Sequence, residues 1–310
     1  MNLAPITLFV YNRPWHTQQT LEALMQNEYA NQSTLYIYCD GAKENAVKED
    51  IDKIVEVRKV IRSKPWCKDV KIIEQPTNLG LANSVINGVA QVVNKHGNII
   101  VLEDDIVTGR CFLKYMNEAL ELYEKEEKVF GVSGYKYPSN SEVEDSTYFL
   151  PIGSSWSYAT WLDRWKEVSF DGERLLQKIN ELDLKKKMNF GGYPYYEMLK
   201  DQIEGKNNSW AIRFYTSMFL KEKFFLYPNV SLVKNIGFDN SGTHCSTDDF
   251  FSKINVSDQS VHIEKKNVSL NSRIIKLFEK SFKSENASRL GLIDRFERII
   301  EKVIKIIEKK

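Results

Sequence analysis

The sequence predicts an α/β protein with a mostly parallel central sheet flanked by helices. Three observations predict it. Short apolar, β-rich runs alternate with helical periods through the first third of the chain. The connections between them are short, as crossovers to parallel strands require. Residues able to do chemistry gather just past the strands, where open α/β sheets bind ligands. In order, Pro5 to Tyr11 reads as a first buried strand and Thr17 to Gln26 as a helix with Leu21, Leu24 and Met25 on one side. Thr34 to Cys39 is a second strand, stopped by Asp40-Gly41, and Lys48 to Ser63 a helix striped by Ile51, Ile54, Val55 and Val60. Val70 to Glu74 is a third strand and Leu81 to Lys95 a helix. Asn98 to Leu102 is a fourth strand running into Glu103-Asp104-Asp105, followed by a helix from Phe112 to Lys125 and a strand from Val129 to Ser133.

After Tyr135 the pattern becomes aromatic-rich and less periodic, and it predicts a few more strands, two helices and long site-forming loops in the same domain. That domain is expected to span residues 1–255. From about Val256 the composition shifts to Lys, Asn and Ser, which predicts a linker or irregular extension over 256–289. Residues 290–310 carry Leu292, Ile293, Phe296, Ile299, Ile300, Val303, Ile304 and Ile307 at helical spacing with lysines and arginines between them. An amphipathic basic helix is expected there, suited to packing, self-association or peripheral contact with an anionic membrane.

The 310 residues carry 43 basic and 42 acidic side chains, so overall charge offers no case for a nucleic-acid partner. No run reaches the ~18 apolar residues of a membrane span, and the opening residues lack the pattern of a secretory signal. Cys39, Cys67, Cys111 and Cys245 form no CxxC pair, which points to reduced thiols and a cytoplasmic protein.

Glu103-Asp104-Asp105 is the sharpest chemical signal. Three carboxylates after a buried strand repel one another unless something positive neutralises them. A divalent cation that also holds phosphate oxygens would do so; a solvated acidic turn is the plain alternative. Asn12-Arg13 and Asp40-Gly41 end other strands and could meet a base, ribose or phosphate, or be ordinary surface and turn residues. Asn78-Leu79-Gly80 opens a helix whose N–H groups could face phosphate. Trp156 lies among small polar residues, a composition suited to the C–H faces and hydroxyls of a sugar as well as to a core. His244 lies late in the chain, where a histidine is structural unless it returns to the acidic turn. Asp201 precedes Trp210 at a place where a general base could meet an acceptor hydroxyl, with Asp163, Glu197 and Asp239 as rivals.

Taken together, Val10-Tyr11-Asn12-Arg13-Pro14, Asp40-Gly41, Asn78-Leu79-Gly80-Leu81, Val101 to Ile106, Trp156 to Trp161 and Asn235-Ile236-Gly237-Phe238 resemble the GT-A glycosyltransferases. The resemblance is to bacterial family 2-like sugar transferases of surface-polysaccharide clusters, and to the N-acetylglucosaminyltransferase I family, which shares the Glu-Asp-Asp form of the DxD motif. It covers roughly residues 5 to 250. It implies the GT-A fold, with Asp105 as the ligand of Mn²⁺ or Mg²⁺ and His244 near the metal or diphosphate. It further implies Asn12, Arg13 and Asp40 on the nucleotide, Glu103 and Asp104 on the ribose or donor sugar, and Asp201 as base. Trp156 would contact the donor, although relatives often carry Trp-Gly-Trp where this chain has Trp156-Ser157-Tyr158. The implied activity is metal-dependent, inverting transfer from a nucleotide-diphosphate sugar, a UDP-sugar foremost, to a hydroxyl of a glycan or lipid-linked glycan. A sugar nucleotidyltransferase and a non-catalytic glycan-binding protein are the alternatives.

Overall fold

Residues 6–10, 34–39, 69–74 and 98–103 form the predicted strands β1 (Ile6–Val10), β2 (Thr34–Cys39), β3 (Asp69–Glu74) and β4 (Asn98–Glu103) in a computed structural model that describes residues 2–139, 141–239 and 254–284. They lie side by side in the order β3-β2-β1-β4, all parallel. β1 is buried along its whole length, as its largely apolar run, interrupted only by Thr7, requires. Helices α1 (Pro14–Met25), α2 (Lys48–Val60) and α3 (Leu81–His96) make the crossovers. Pro14 starts α1 with the φ a helix needs and no N–H to leave unpaired. Gly97, at φ 85°, ends α3 in the left-handed conformation and donates its N–H to Val93 O at 2.8 Å.

Beyond β4 the sheet becomes mixed. β8 (Tyr158–Trp161) runs antiparallel to β4 and to β6 (Val129–Ser133), β9 (Phe224–Pro228) lies parallel to β6, and β7 (Thr147–Leu150) closes the edge antiparallel to β9. Six of the eight strands therefore point the same way, and their carboxyl ends share one edge with the start of β8. A small second sheet pairs β5 (Ile106–Thr108) with β10 (Val233–Asn235), Asn235 opposite Ile106. That pairing, which no local pattern announces, folds the late chain back onto the turn after β4.

α4 (Phe112–Leu122) follows the predicted helix closely. Among the described residues the later region holds five helices rather than two: α5 (Leu162–Lys166), α6 (Gly172–Glu181), α7 (Lys185–Met188), α8 (Tyr195–Ile203) and α9 (Trp210–Leu220). α5 and α7 span 5 and 4 residues, too short for a helical period to register.

The linker or irregular extension expected after residue 255 is described as far as residue 284. Residues 254–271 have no regular structure, yet they are bound along the domain. Ser257 N–H donates to Ser231 O at 2.8 Å, Asp258 Oδ1 accepts from Arg110 N–H at 2.9 Å, and Glu264 O accepts from the Tyr123 hydroxyl at 3.1 Å. A helix over 272–284 then buries Phe278 against Tyr148 and Phe282 against Tyr137 and Phe190. The polar composition belongs to the outer side of a docked strap. The predicted helix over 290–310, together with His244 and Cys245, lies outside the described residues. Among those described, no helix is long and apolar enough to cross a membrane, and Cys39, Cys67 and Cys111 are free and buried.

Phe278→Ala should lower unfolding stability by about 3–5 kcal/mol, the usual cost of deleting a buried ring. Urea unfolding monitored by circular dichroism measures this; an unchanged midpoint would show that the strap does not dock.

Candidate active site at the carboxyl edge of the sheet

β1 and β4 are hydrogen-bonded neighbours, so Arg13, three residues past β1, reaches the turn that follows β4. Its guanidinium takes both oxygens of Asp104, through Nε at 3.3 Å and through Nη2, and Nη2 also bonds Asp105 Oδ2 at 2.9 Å. All three side chains are largely shielded from solvent. α1 fixes the arrangement from below, because the Thr20 hydroxyl donates to Asp104 O at 2.8 Å. The small sheet fixes it from the side: Ile236 N–H donates to Asp105 O at 2.9 Å. At Gly237 a Cβ would lie 2.3 Å from Asp105 Oδ2 and 3.0 Å from Arg13 Nη1. Only a glycine lets that backbone approach so closely.

The charges are unevenly settled. Burial works against the Arg13 charge, but Asp104 and then Asp105 raise its pKa above the ordinary arginine value and keep it protonated. Burial, with the Asp105 charge added, pushes the Asp104 carboxyl up to about 6 despite Arg13. Glu103 rises to about 8, through desolvation first and then Asp105 and Asp104, against the pull of Arg13 and a hydrogen bond from Trp210. Asp105 Oδ1 is buried and has no hydrogen-bond partner among the described residues. A buried carboxylate oxygen left bare is costly unless a ligand completes it.

Asp40 is spent differently. Its Oδ1 accepts from the N–H groups of Gly41 and Leu79 at 2.9 and 2.8 Å, and its Oδ2 from Gly80 N–H and Asn78 Nδ2 at 3.0 Å each. Those four donors make it the knot of the Asn78–Gly80 loop and occupy the lone pairs a nucleobase would need. A cavity of about 60 Å³ borders it, lined by Tyr38, Gln75, Ser84, Asn87 and Gln91 among others. Asn12 Nδ2 bonds Asp50 Oδ1 at 3.2 Å, facing α2. A larger recess, about 330 Å³ around Arg62 and Lys68, lies by the start of β3, at the opposite edge of the sheet.

Trp156 stands edge-on to Tyr135 at 4.8 Å and to Phe238 at 5.3 Å between ring centroids. Phe238 adjoins Gly237, so the aromatic wall begins where the acidic turn ends. Ser157 sits at φ 60°, a left-handed backbone that favours glycine, with its hydroxyl buried and without a hydrogen-bond partner among the described residues.

The base candidates separate by position. Asp163 follows β8 at Trp161, which pairs with Asn98 at the beginning of β4, so it lies at the wrong edge, paired with its neighbour Arg164 at 2.5 Å. Glu197 bridges Lys185 and Lys200 on the surface. Asp201 is half-exposed on α8 and pairs with Lys206 at 3.2 Å; no hydrogen bond or ion pair among the described residues joins it to the acidic turn. Asp239 lies two residues past Gly237, with its Oδ2 3.1 Å from Nε2 of the buried His16 on α1. Arg13, Glu103, Asp104 and Asp105 thus share the turn after β4, Trp156 joins it through Phe238, and Asp239 follows Gly237 two residues on, whereas Asp201 pairs with Lys206. The reading of the sequence missed Thr20 and His16, for which it held no signal. It also gave no role to Gly237, although the Asn235 to Phe238 element was visible.

No protein-family model matches the chain, and no curated protein matches it. Among solved structures, UDP-glucose pyrophosphorylase complexed with UDP-glucose is similar at 12% identity, over 73% of this chain and 90% of that one, with a TM-score of 0.35. S. aureus TarS is similar at 13% identity over 48% of this chain and 25% of that one, TM-score 0.30, and its 1–349 fragment at 10% over 51% and 47%, TM-score 0.33.

Ser157→Gly should stabilise the protein by about 1 kcal/mol, since relief of the left-handed backbone and loss of an orphan hydroxyl outweigh the entropy of glycine. Thermal melting reads this as a rise of a few degrees; a fall would mean that the serine is unstrained.

Proposed function

We propose that the chain is a glycosyltransferase that moves a monosaccharide from a nucleotide-diphosphate sugar to a hydroxyl of a glycan acceptor, with inversion and with the help of Mn²⁺ or Mg²⁺. One observation carries this reading: a buried acidic turn at the carboxyl edge of the sheet holds an arginine and leaves Asp105 Oδ1 bare. Such cations bind through one or two carboxylates and complete their shell with water and substrate phosphate. A buried, acceptor-only oxygen next to a guanidinium fits that donor set, and Asp105 is the residue that would hold the ion. When bound, a divalent ion supplies positive charge for the departing diphosphate.

The chain's own residues supply the rest. Arg13 offers a planar fork to phosphate oxygens. Trp156 and Phe238 form a wall against which the C–H face of a sugar packs. Asp239, beside His16, is the carboxylate that takes the proton from the acceptor hydroxyl. The acceptor oxygen then forms its bond to C1 as the C1–oxygen bond to the β-phosphate breaks, and the nucleoside diphosphate leaves. Release of nucleoside diphosphate rather than pyrophosphate distinguishes this reaction from nucleotidyl transfer.

The test is a coupled assay of nucleoside-diphosphate release across a panel of nucleotide sugars with Mn²⁺. Asp105→Ala should lose transfer at least 100-fold while melting as a folded protein, given the share of catalysis that such charge stabilisation supplies. Asp239→Asn should lower kcat by about 10²–10⁴, the usual contribution of a general base, with little change in donor KM. Asp201→Asn serves as the comparison and should retain most activity; if Asp201→Asn abolishes kcat and Asp239→Asn does not, the base is reassigned.

A further inference from the structure

In the free chain the acidic turn already holds a cation, and it is part of the chain. Arg13 covers three of the four oxygens of Asp104 and Asp105, and the fourth, Asp105 Oδ1, is buried without a partner among the described residues. The Gly237 backbone closes the other side so tightly that not even a Cβ fits beside Asp105 Oδ2. An ion taking Asp105 through both oxygens must expel Nη2 from Oδ2. An ion resting on Oδ1 alone would sit beside a fixed guanidinium and be repelled by it. Arg13 also removes one of the two negative charges that would attract a dication.

A nucleoside diphosphate changes that balance. Its oxygens compete with the carboxylates for the guanidinium fork and add negative charge at the same place. From this geometry we infer that Arg13 is a resident counter-ion that competes with a divalent cation for Asp104 and Asp105, keeping metal affinity low in the free chain. The inference rests on the proposed role of the turn as a cation site, and it makes Arg13 the residue that sets when the metal binds. Since linkage is reciprocal, whatever draws Arg13 away tightens metal binding by the same factor that metal tightens its partner.

The probe is Mn²⁺ alone, titrated into the full chain and followed by the electron paramagnetic resonance signal of the free ion. Arg13→Gln should bind Mn²⁺ at least tenfold more tightly than the wild type without nucleotide, and adding Asp105→Asn should abolish the gain. Equal or weaker Mn²⁺ binding by a folded Arg13→Gln protein overturns the inference. Should Arg13→Gln fail to fold, Arg13→Lys replaces it, keeping the charge but losing the fork to two carboxylates. It should bind Mn²⁺ severalfold more tightly than the wild type, and a Lys variant indistinguishable from wild type is equally contradictory. A parallel titration with saturating UDP keeps the two ideas apart. If UDP leaves wild-type Mn²⁺ affinity unchanged, the nucleotide reading of the site fails, whereas the comparison of variants without UDP still decides the role of Arg13.

Discussion

The buried contact between Arg13 and the paired carboxylates of Asp104 and Asp105 is the constraint around which the functional edge is organised. Neither side could be buried alone. Removing one member of a buried ion pair typically costs about 3–5 kcal/mol because an uncompensated charge remains. The contact joins the end of β1 to the end of β4, two adjacent central strands, and so depends on their parallel register. In turn, Thr20 from α1 and the β5–β10 pair hold the turn at its backbone, leaving its side chains for the arginine and for one unfilled position.

The same edge divides into a charged half and an aromatic half. The boundary is Gly237, whose lack of a side chain lets the late chain lie against Asp105, and Phe238, which carries the packing on to Trp156 and Tyr135. Tyr135 continues to Tyr137, which meets Phe282 from the 272–284 helix. A segment whose composition suggests a linker or irregular extension therefore packs behind the aromatic wall.

Much of the first half of this fold was legible because local patterning and tertiary demand agree there. Buried parallel strands need largely apolar runs, and Ile6 to Val10, interrupted only by Thr7, and Ile99 to Leu102 provide them. The location of Arg13 and of Glu103 to Asp105 followed from strand ends alone. What stayed hidden depends on contacts between distant residues. The three residues of β10 carry no recognisable period, and the pairing of His16 with Asp239 spans most of the chain. Asp40 looked like a ligand-facing acceptor because the four donors that claim it come largely from a loop almost forty residues away. The acidic cluster suggests either a bound cation or a solvated turn; that Arg13 offsets part of its charge from within the chain depends on β1 and β4 being neighbours. Ser157 is the converse case, where the departure from a glycine was visible and only the backbone angle showed its consequence.

The most direct measurement is a crystal structure of the full chain grown with UDP and Mn²⁺. The account predicts manganese density on Asp105 Oδ1, the diphosphate bridging that ion and a displaced Arg13 guanidinium, and the ribose near Asp104. Nucleotide bound elsewhere, with Arg13 still clasping both carboxylates and no ion at the turn, would contradict it.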